Sequence, residues 1–397
     1  MAYTVSKVLA SVIYFVRDWL FCPEAIALFV ASLFFFNFLR LLRSLIVCFC
    51  RWKYKNVPIP SSPRSSKESR SDSVNITGNG GENVGCLEKS VFRTYSHEAK
   101  SCDMAAFSIQ GRRKTMEDRF NSISHNYEHN HSVYAVFDGH GGEFAAEYIE
   151  DQLFRSIQKE LCQGSFPADP DQVKQVLTSV IRQVDAQLVC LSRDRMDLSG
   201  STGILLYQKE DVLIIANIGD SRAVMSDVKG KVVPLSTDHK PSDPKEQQRI
   251  VDAGGFVTFN GVWRVAGVLA TSRAFGDYPL KQRKFITVEP EFRVFNAQEC
   301  KPHFIIMASD GLWDVFSNEE AAQFISERLD EPHFGAKSLA LQAYYRGSLD
   351  NITVMVINVK RKRVLQKKFD EHKEIVTAAQ RTAGEEKEGA EENSQEL

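Results

Sequence analysis

The feature that most constrains this chain is a set of apolar runs of strand length, each meeting an aspartate at a terminus or a tight turn. SVYAVFD (132–138) and HFIIMASD (303–310) each close on an acid. DVLIIANIGDSRAVMS (211–226) carries one at its centre, and Asp350 stands just before NITVMVINV (351–359). Such runs, bounded by Gly, Asp and Ser, read as buried strands. A carboxylate at the end of one buried strand is tolerable. Several brought together lose hydration and repel one another.

The full set of acids is Glu117-Asp118 after the basic run GRRKT, Asp138 before Gly139-His140-Gly141-Gly142, Asp220 in GDSR, Asp310 before Gly311-Leu312-Trp313-Asp314, and Asp350-Asn351. A divalent metal resolves their repulsion. Oxygen ligands without adjacent cysteines or paired histidines favour Mg2+ or Mn2+ over zinc. Glycine after Asp138 lets the backbone approach an ion and offer a carbonyl. Taken singly, each motif is an ordinary turn. Their weight lies in occurring together.

Between the runs the periodicity becomes helical. Ala145, Ile149, Leu153 and Ile157 form one stripe, and Val173, Val176, Leu177, Val180, Ile181, Val184 and Leu188 another. Asp243 and Pro244 predict the start of a helix that Gly254-Gly255 close, and Ser317 with Glu320 predicts a capping box. The segment 211–226 reads as a hairpin turning at Gly219-Asp220. Strands, then two helices, then more strands predict an α+β fold of layered sheets and helices.

The N-terminus differs. Ala25 to Leu39 holds no charge, and continuing through Cys50 gives roughly the 20 residues a bilayer core needs, with Arg40 and Arg43 at the interface. Residues 1–55 are therefore expected to be membrane-associated, with a span at about 25–48. The basic residues that follow (Arg51, Lys53, Lys55, Arg64) put the C-terminal side in the cytosol. A single crossing and a hairpin turning at Cys22-Pro23-Glu24 both remain open. Residues 56–100 have linker composition, 101–360 form the packed domain, and 361–397 form a charged, disordered tail.

A net charge of -2 gives no electrostatic footprint for nucleic acid. The 8 cysteines include no CxxC pair, so neither a disulfide framework nor a zinc site is expected. Cys22, Cys48 and Cys50 are open to acylation or to a plain apolar role. His125, His129 and His131 are read as a polar loop between strands, not as metal ligands. Trp263 and the YPLK segment are read as packing and flap structure.

The ordered motifs GRRKTMED, FDGHGG, SGSTG, NIGDSRAV, DHKP, GGFV, GVLATSRAFGDYPLK, MASDGLWD and DNITVMV resemble the metal-dependent protein phosphatases of type 2C across residues 104–360. The segment after MASDGLWD, with the apolar N-terminus, is similar to a membrane-anchored branch of that family. The resemblance implies a four-layer α-β-β-α sandwich with two ions, Mg2+ or Mn2+, at one edge of the sheets and a weaker third ion nearby. It implies that Asp138 bridges two ions and Gly139 lends its carbonyl. Asp310 and Asp350 then complete a shell, Glu117 acts through water, and Asp118 orients the network. Asp220 and Asp314, with Asp310, are implied ligands of the third ion. Arg113 is implied to grip the substrate phosphate and His140 to be the general acid, while Thr202 and Asp277 support. The flap is expected over 238–256.

The activity so implied is hydrolysis of phosphoserine and phosphothreonine in proteins by a metal-activated hydroxide, without a phosphoenzyme. The implied setting is a monomeric catalytic domain in the cytosol, tethered to a membrane such as the endoplasmic reticulum, with stress-activated kinases among its phosphoprotein substrates. The alternative is an inactive phosphoprotein-binding scaffold of the same fold.

Overall fold

The computed structural model describes residues 96–123, 131–162 and 169–365, with 367 and 371. The predicted membrane segment, the span at 25–48, His125 and His129 lie outside the described residues. Among those described, no helix is long and apolar enough to cross a membrane.

In chain order come β1 (Ser96–Lys100), β2 (Met104–Ile109), β3 (Arg119–Ile123), β4 (His131–Phe137) and β5 (Gly139–His140). Helices α1 (Phe144–Cys162) and α2 (Pro170–Arg195) lead to β6 (Gly200–Ser201), β7 (Gly203–Lys209), β8 (Val212–Ile218), β9 (Arg222–Asp227) and β10 (Val232–Pro234). Next are α3 (Pro244–Asp252), β11 (Val257–Asn260), β12 (Val262–Val265), β13 (Phe275–Gly276), α4 (Tyr278–Gln282) and β14 (Glu291–Asn296). The last stretch holds α5 (Ala297–Cys300), β15 (Pro302–Ala308), α6 (Asp310–Trp313), α7 (Asn318–Ser326), α8 (Ala336–Tyr345) and β16 (Ile352–Ile357).

A 6-stranded sheet in the order β1-β2-β16-β15-β9-β10 faces a 5-stranded sheet in the order β14-β8-β7-β4-β3. Alternate residues of each strand fill different layers. Met104 and Ala106 of β2 meet Tyr134, Val136, Leu206 and Met307 between the sheets. Ala105 and Phe107 of the same strand turn outward onto Ile325, Leu339 and Ala340 of α7 and α8. Across the molecule, Val133 and Phe137 of β4 pack on Ile149 and Leu153 of α1 and on Ile181 and Leu188 of α2. The order is α-β-β-α. Strands apolar on both faces read as unbroken runs, which is why the sequence showed runs and not alternation.

The predicted caps form. Ser317 accepts from Glu320 N while the Glu320 side chain accepts from Ser317 N. Asp243 accepts from Lys245 N and Glu246 N ahead of Pro244.

Three expectations are corrected. The run 211–226 is not a hairpin: β8 pairs with β7 and β14, whereas β9 pairs with β15 and β10. Gly219, at φ +109°, turns the chain from one sheet to the other, and tertiary pairing overrides the local turn signal. The linker does not reach residue 100, because β1 pairs with β2. This edge strand is mostly exposed and so carries no apolar signal. The tail does not leave the domain at 361: residues 359–365 are helical and Lys362 is buried. Its Nζ donates to Ser132 Oγ at 2.7 Å and to Gln208 Oε1 at 3.0 Å.

Candidate metal centre and active site

Strand register gathers the acids. Arg119 of β3 lies opposite Phe137 of β4, which sets Asp118 beside Asp138. In the facing sheet, Ala308 at the end of β15 lies opposite both Val354 of β16 and Arg222 of β9. Asp310, Asp350 and Asp220, flanking those strands, therefore come to one edge. Two close backbone approaches tighten it. A Cβ on Gly139 would lie 2.2 Å from the Glu117 carbonyl oxygen, and one on Gly311 would lie 2.0 Å from that of Asn351. Only glycine lets these segments touch.

The two sheets meet where Asp310 N donates to Asp138 Oδ2 at 3.3 Å. Asp138 is raised well above the usual carboxylate range by burial first, and then by Asp310, Asp118, Asp220 and Asp350. Asp310 is raised likewise by burial and by Asp220, Asp350 and Asp314, against a smaller opposing pull from Lys240. Its Oδ1 is buried with no hydrogen-bond partner. Asp118 Oδ2 accepts from Ser309 Oγ at 2.8 Å and from Thr353 Oγ1 at 2.7 Å. Burial nevertheless pushes Asp118 up to about 7. Asp314 follows one turn after Asp310, and partial desolvation of its carboxyl, with nearby Asp350 and Asp220 and against Lys240, raises it too. Glu117 N donates to Asn351 Oδ1 at 2.8 Å, and Thr115 Oγ1 donates to Glu117 Oε1 at 2.7 Å. The Asp138 carbonyl accepts from Thr202 N at 2.9 Å, which gives Thr202 its supporting place.

Two cations face this cluster. Arg113 pairs with Asp350, and Lys240 with Asp220. Among the described residues no group of three or more His, Cys, Asp or Glu is set as a ready metal cage. The carboxylates of Asp350 and Asp220 are turned instead to these basic side chains. The chemistry of the donors still fits a hard divalent cation. They are all oxygen, Asp138 and Asp310 are raised by burial and by repulsion from their acidic neighbours, and one buried carboxylate oxygen lacks any partner.

His140, two residues after Asp138, is half-buried, and its Nε2 lies 2.8 Å from Asp277 Oδ2. Burial alone lowers its pKa, but the Asp277 carboxylate outweighs that, and the net shift is upward. Asp277 adopts φ 51° at the start of α4, and its N–H donates to Ser199 O at 3.1 Å. A Cβ on Gly200 would lie 2.1 Å from Asp277 Oδ2 and 2.5 Å from His140 Nε2, so glycine is what admits the pair.

Every acid singled out in the sequence thus lies at or beside this edge, with Arg113 at its rim. Sequence reading missed several contributors. Asp277, expected in a supporting role, is the direct partner of His140, a pairing the sequence did not show. Asn351 clamps the Glu117 backbone, Ser309 and Thr353 hold Asp118, and Lys240 of DHKP reaches Asp220. A polar residue directly beside each strand-end acid was the available signal. Trp263 does not pack into the core. It is 43% exposed on the β11–β12 hairpin, edge-on to Phe259 at 5.3 Å.

Residues 102–352 match the sequence profile described as Protein phosphatase 2C. The chain is similar to Protein phosphatase 1L of Bos taurus, 45% identical over 69% of this chain and 76% of that protein. It is also similar to Probable protein phosphatase 2C 59 of Arabidopsis thaliana, 41% identical over 63% of this chain and 77% of that one. A crystal structure of a serine-threonine phosphatase 2C from Toxoplasma gondii superposes with a TM-score of 0.57 at 25% identity, covering 66% of this chain and 98% of that one. An acidic edge made where two sheets meet, inside a stretch that matches in both sequence and fold, places the chain in the protein phosphatase 2C family, the metal-dependent protein serine/threonine phosphatases.

Proposed function

We propose that the edge between the sheets holds two divalent cations, Mg2+ or Mn2+, with a weaker third, and that the centre hydrolyses phosphoserine and phosphothreonine in protein substrates. The observation that carries this reading is the pair Asp138 and Asp310, both raised by burial and by neighbouring acids that include Asp350, with Asp310 Oδ1 lacking any partner. Asp138, Gly139, Asp310 and Asp350 would hold two ions, with Glu117 acting through water and Asp118 orienting the set. Asp220 and Asp314, with Asp310, would hold the weaker one. Bound there, the cations would supply Lewis acidity, making water nucleophilic near neutral pH and screening phosphoryl charge.

The chain's own residues do the rest. Arg113 is 57% exposed at the rim, free to leave Asp350 and present its planar fork to a phosphate. His140 gives a proton to the departing alkoxide. Asp277 holds Nε2 and favours the imidazolium, leaving Nδ1 to deliver. Lys240 pairs with Asp220 and offsets acidic charge at the third position.

The apolar N-terminal segment supports tethering to a membrane, endoplasmic reticulum by resemblance, with the domain in the cytosol and stress-activated kinases among its substrates. The linker then sets which substrates the domain reaches.

The test is phosphate release from a phosphothreonine peptide by the whole chain, with Mn2+ or Mg2+ and with chelator, beside Asp138→Asn. Release that needs metal and disappears in the variant is expected. A folded chain that binds the peptide and releases nothing at any metal concentration would establish the scaffold reading instead. For the tether, the whole chain is expected in the membrane fraction and a chain lacking residues 1–55 in the soluble one. Equal partition of the two would end that part of the proposal.

A further inference from the structure

At the Glu117-Asp118 turn the backbone is gripped as well as the side chains. We propose that Arg119 is a positioning residue for the metal centre, a strut that ties this turn to helix α1 and sets where Glu117 and Asp118 stand. The inference rests on the reading of the acidic edge as a divalent-cation site.

Arg119 Nη1 donates to the carbonyls of Met116 and Asp118, both at 2.8 Å. These carbonyls belong to the Met116–Glu117 and Asp118–Arg119 peptides, so the planes on either side of the Glu117-Asp118 pair are fixed by one guanidinium. Nη2 of the same group donates to Glu147 Oε1 at 2.7 Å, with Glu143 at 3.6 Å. Nε completes the reach toward Glu150 at 4.0 Å. The Arg119 side chain is only 10% exposed, whereas Glu147 is 56% exposed. Helix α1 is a firm abutment, because Ala145, Ala146, Ile149 and Leu153 are fully buried beneath it. The strand side is equally firm, since Arg119 pairs with Phe137, the residue before Asp138. Only a planar fork with several donors spans two carbonyls and a carboxylate at once. A lysine ammonium on a flexible stem does not.

Arg119 makes opposite predictions as a strut and as a charge. A cation this close to Asp118 draws its proton affinity down and, as plain charge, repels a metal ion. Removing the charge alone would tighten metal binding. Removing a strut loosens the turn and weakens it, by the roughly 10–100-fold typical of residues that orient metal ligands. The sign of the change separates the two.

The experiment is Mn2+ binding to the whole chain by calorimetry, for wild type, Arg119→Met, Arg119→Lys and Glu147→Gln. Weaker binding is expected in all three variants, with Arg119→Met and Arg119→Lys down about tenfold or more and Glu147→Gln by less. Because Glu147 is a surface residue, Glu147→Gln decides the matter where Arg119→Met does not fold. Unchanged or tighter Mn2+ binding in Arg119→Met, or unchanged binding in a folded Glu147→Gln, overturns the strut. A wild type that binds no Mn2+ overturns the cation site as well, whereas a wild type that binds beside unaffected variants overturns the strut alone.

Discussion

Asp310→Asn is expected to stabilise the metal-free protein while abolishing its response to metal. Asparagine keeps the shape of the side chain and removes a charge that is buried against Asp220, Asp350 and Asp314 and only in part offset by Lys240. Oδ1 has no partner whose loss would count against the change. An uncompensated buried polar group costs about 1–3 kcal/mol, so relief of that order is expected. In a domain of this size each kcal/mol moves the melting temperature by about 2–4 °C, which makes a rise of roughly 2–12 °C in chelator. With Mn2+ at a thousandfold excess over Kd, wild type gains about 4.1 kcal/mol, and the variant, short of one ligand, gains little. The order of the two melting curves therefore inverts between chelator and Mn2+. Differential scanning calorimetry at neutral pH, with and without metal, reads this directly. A variant that melts below wild type in chelator, or one that Mn2+ lifts as far as wild type, would refute the reasoning.

Four further outcomes follow from particular contacts. Burial pushes the Lys362 ammonium down to about 8 from 10.5. Between those values the unfolded chain holds the extra proton, so stability rises with pH there; Lys362→Met should remove about 3 kcal/mol of that rise in urea titrations across the window, and an unchanged slope counts against it. Glu246, although burial opposes it, is drawn down to about 2 by Arg273 and Arg249, so it stabilises above its unfolded value of 4.5 and that contribution is lost as pH falls toward 2. Glu246→Gln should flatten this acid limb by about 3 kcal/mol, and an acid limb like wild type's would contradict the pairing. Gly139→Ala drives a methyl into the Glu117 carbonyl at 2.2 Å and should cost about 1–3 kcal/mol together with metal-dependent activity; a fully active, equally stable variant would be incompatible with the packing. Arg113→Ala should raise KM for a phosphopeptide by roughly 10–100-fold with Mn2+ binding unchanged or tighter, since Asp350 loses its competitor; a KM like wild type's removes Arg113 from phosphate binding.

The layered fold was legible because the strands and helices announce themselves by composition and period. The stripe Ala145, Ile149, Leu153 and Ile157 has only one way to bury itself, and the caps at Asp243 and Ser317 are local chemistry. What escaped was decided at a distance. Nothing within 211–226 says that β8 and β9 belong to different sheets, since a glycine turn between apolar runs looks alike in a hairpin and in a crossing. Edge strand β1 has no apolar face to show, and Lys362 reads as one more charge in a basic tail until Ser132 and Gln208 are seen around it.

The site survived the misread crossing for a physical reason. Each acid belongs to a strand end, and strand ends gather at an edge whichever sheet they come from, so Asp220 reaches Asp310 and Asp138 equally well from a hairpin tip or from a corner. Identity of the acids is therefore local information, and their convergence follows from antiparallel register. The partners that orient the chemistry are different. Asp277 lies 137 residues from His140, Asn351 lies 234 residues from Glu117, and Lys240 comes to Asp220 from a separate loop. Such pairings become visible only once the chain is folded, and they stand one contact away from every residue the sequence singled out. Arg119 belongs to the same class. In the sequence it is merely the basic residue after an acidic pair, and its two bonds back to the turn and one to α1 are what give it a role.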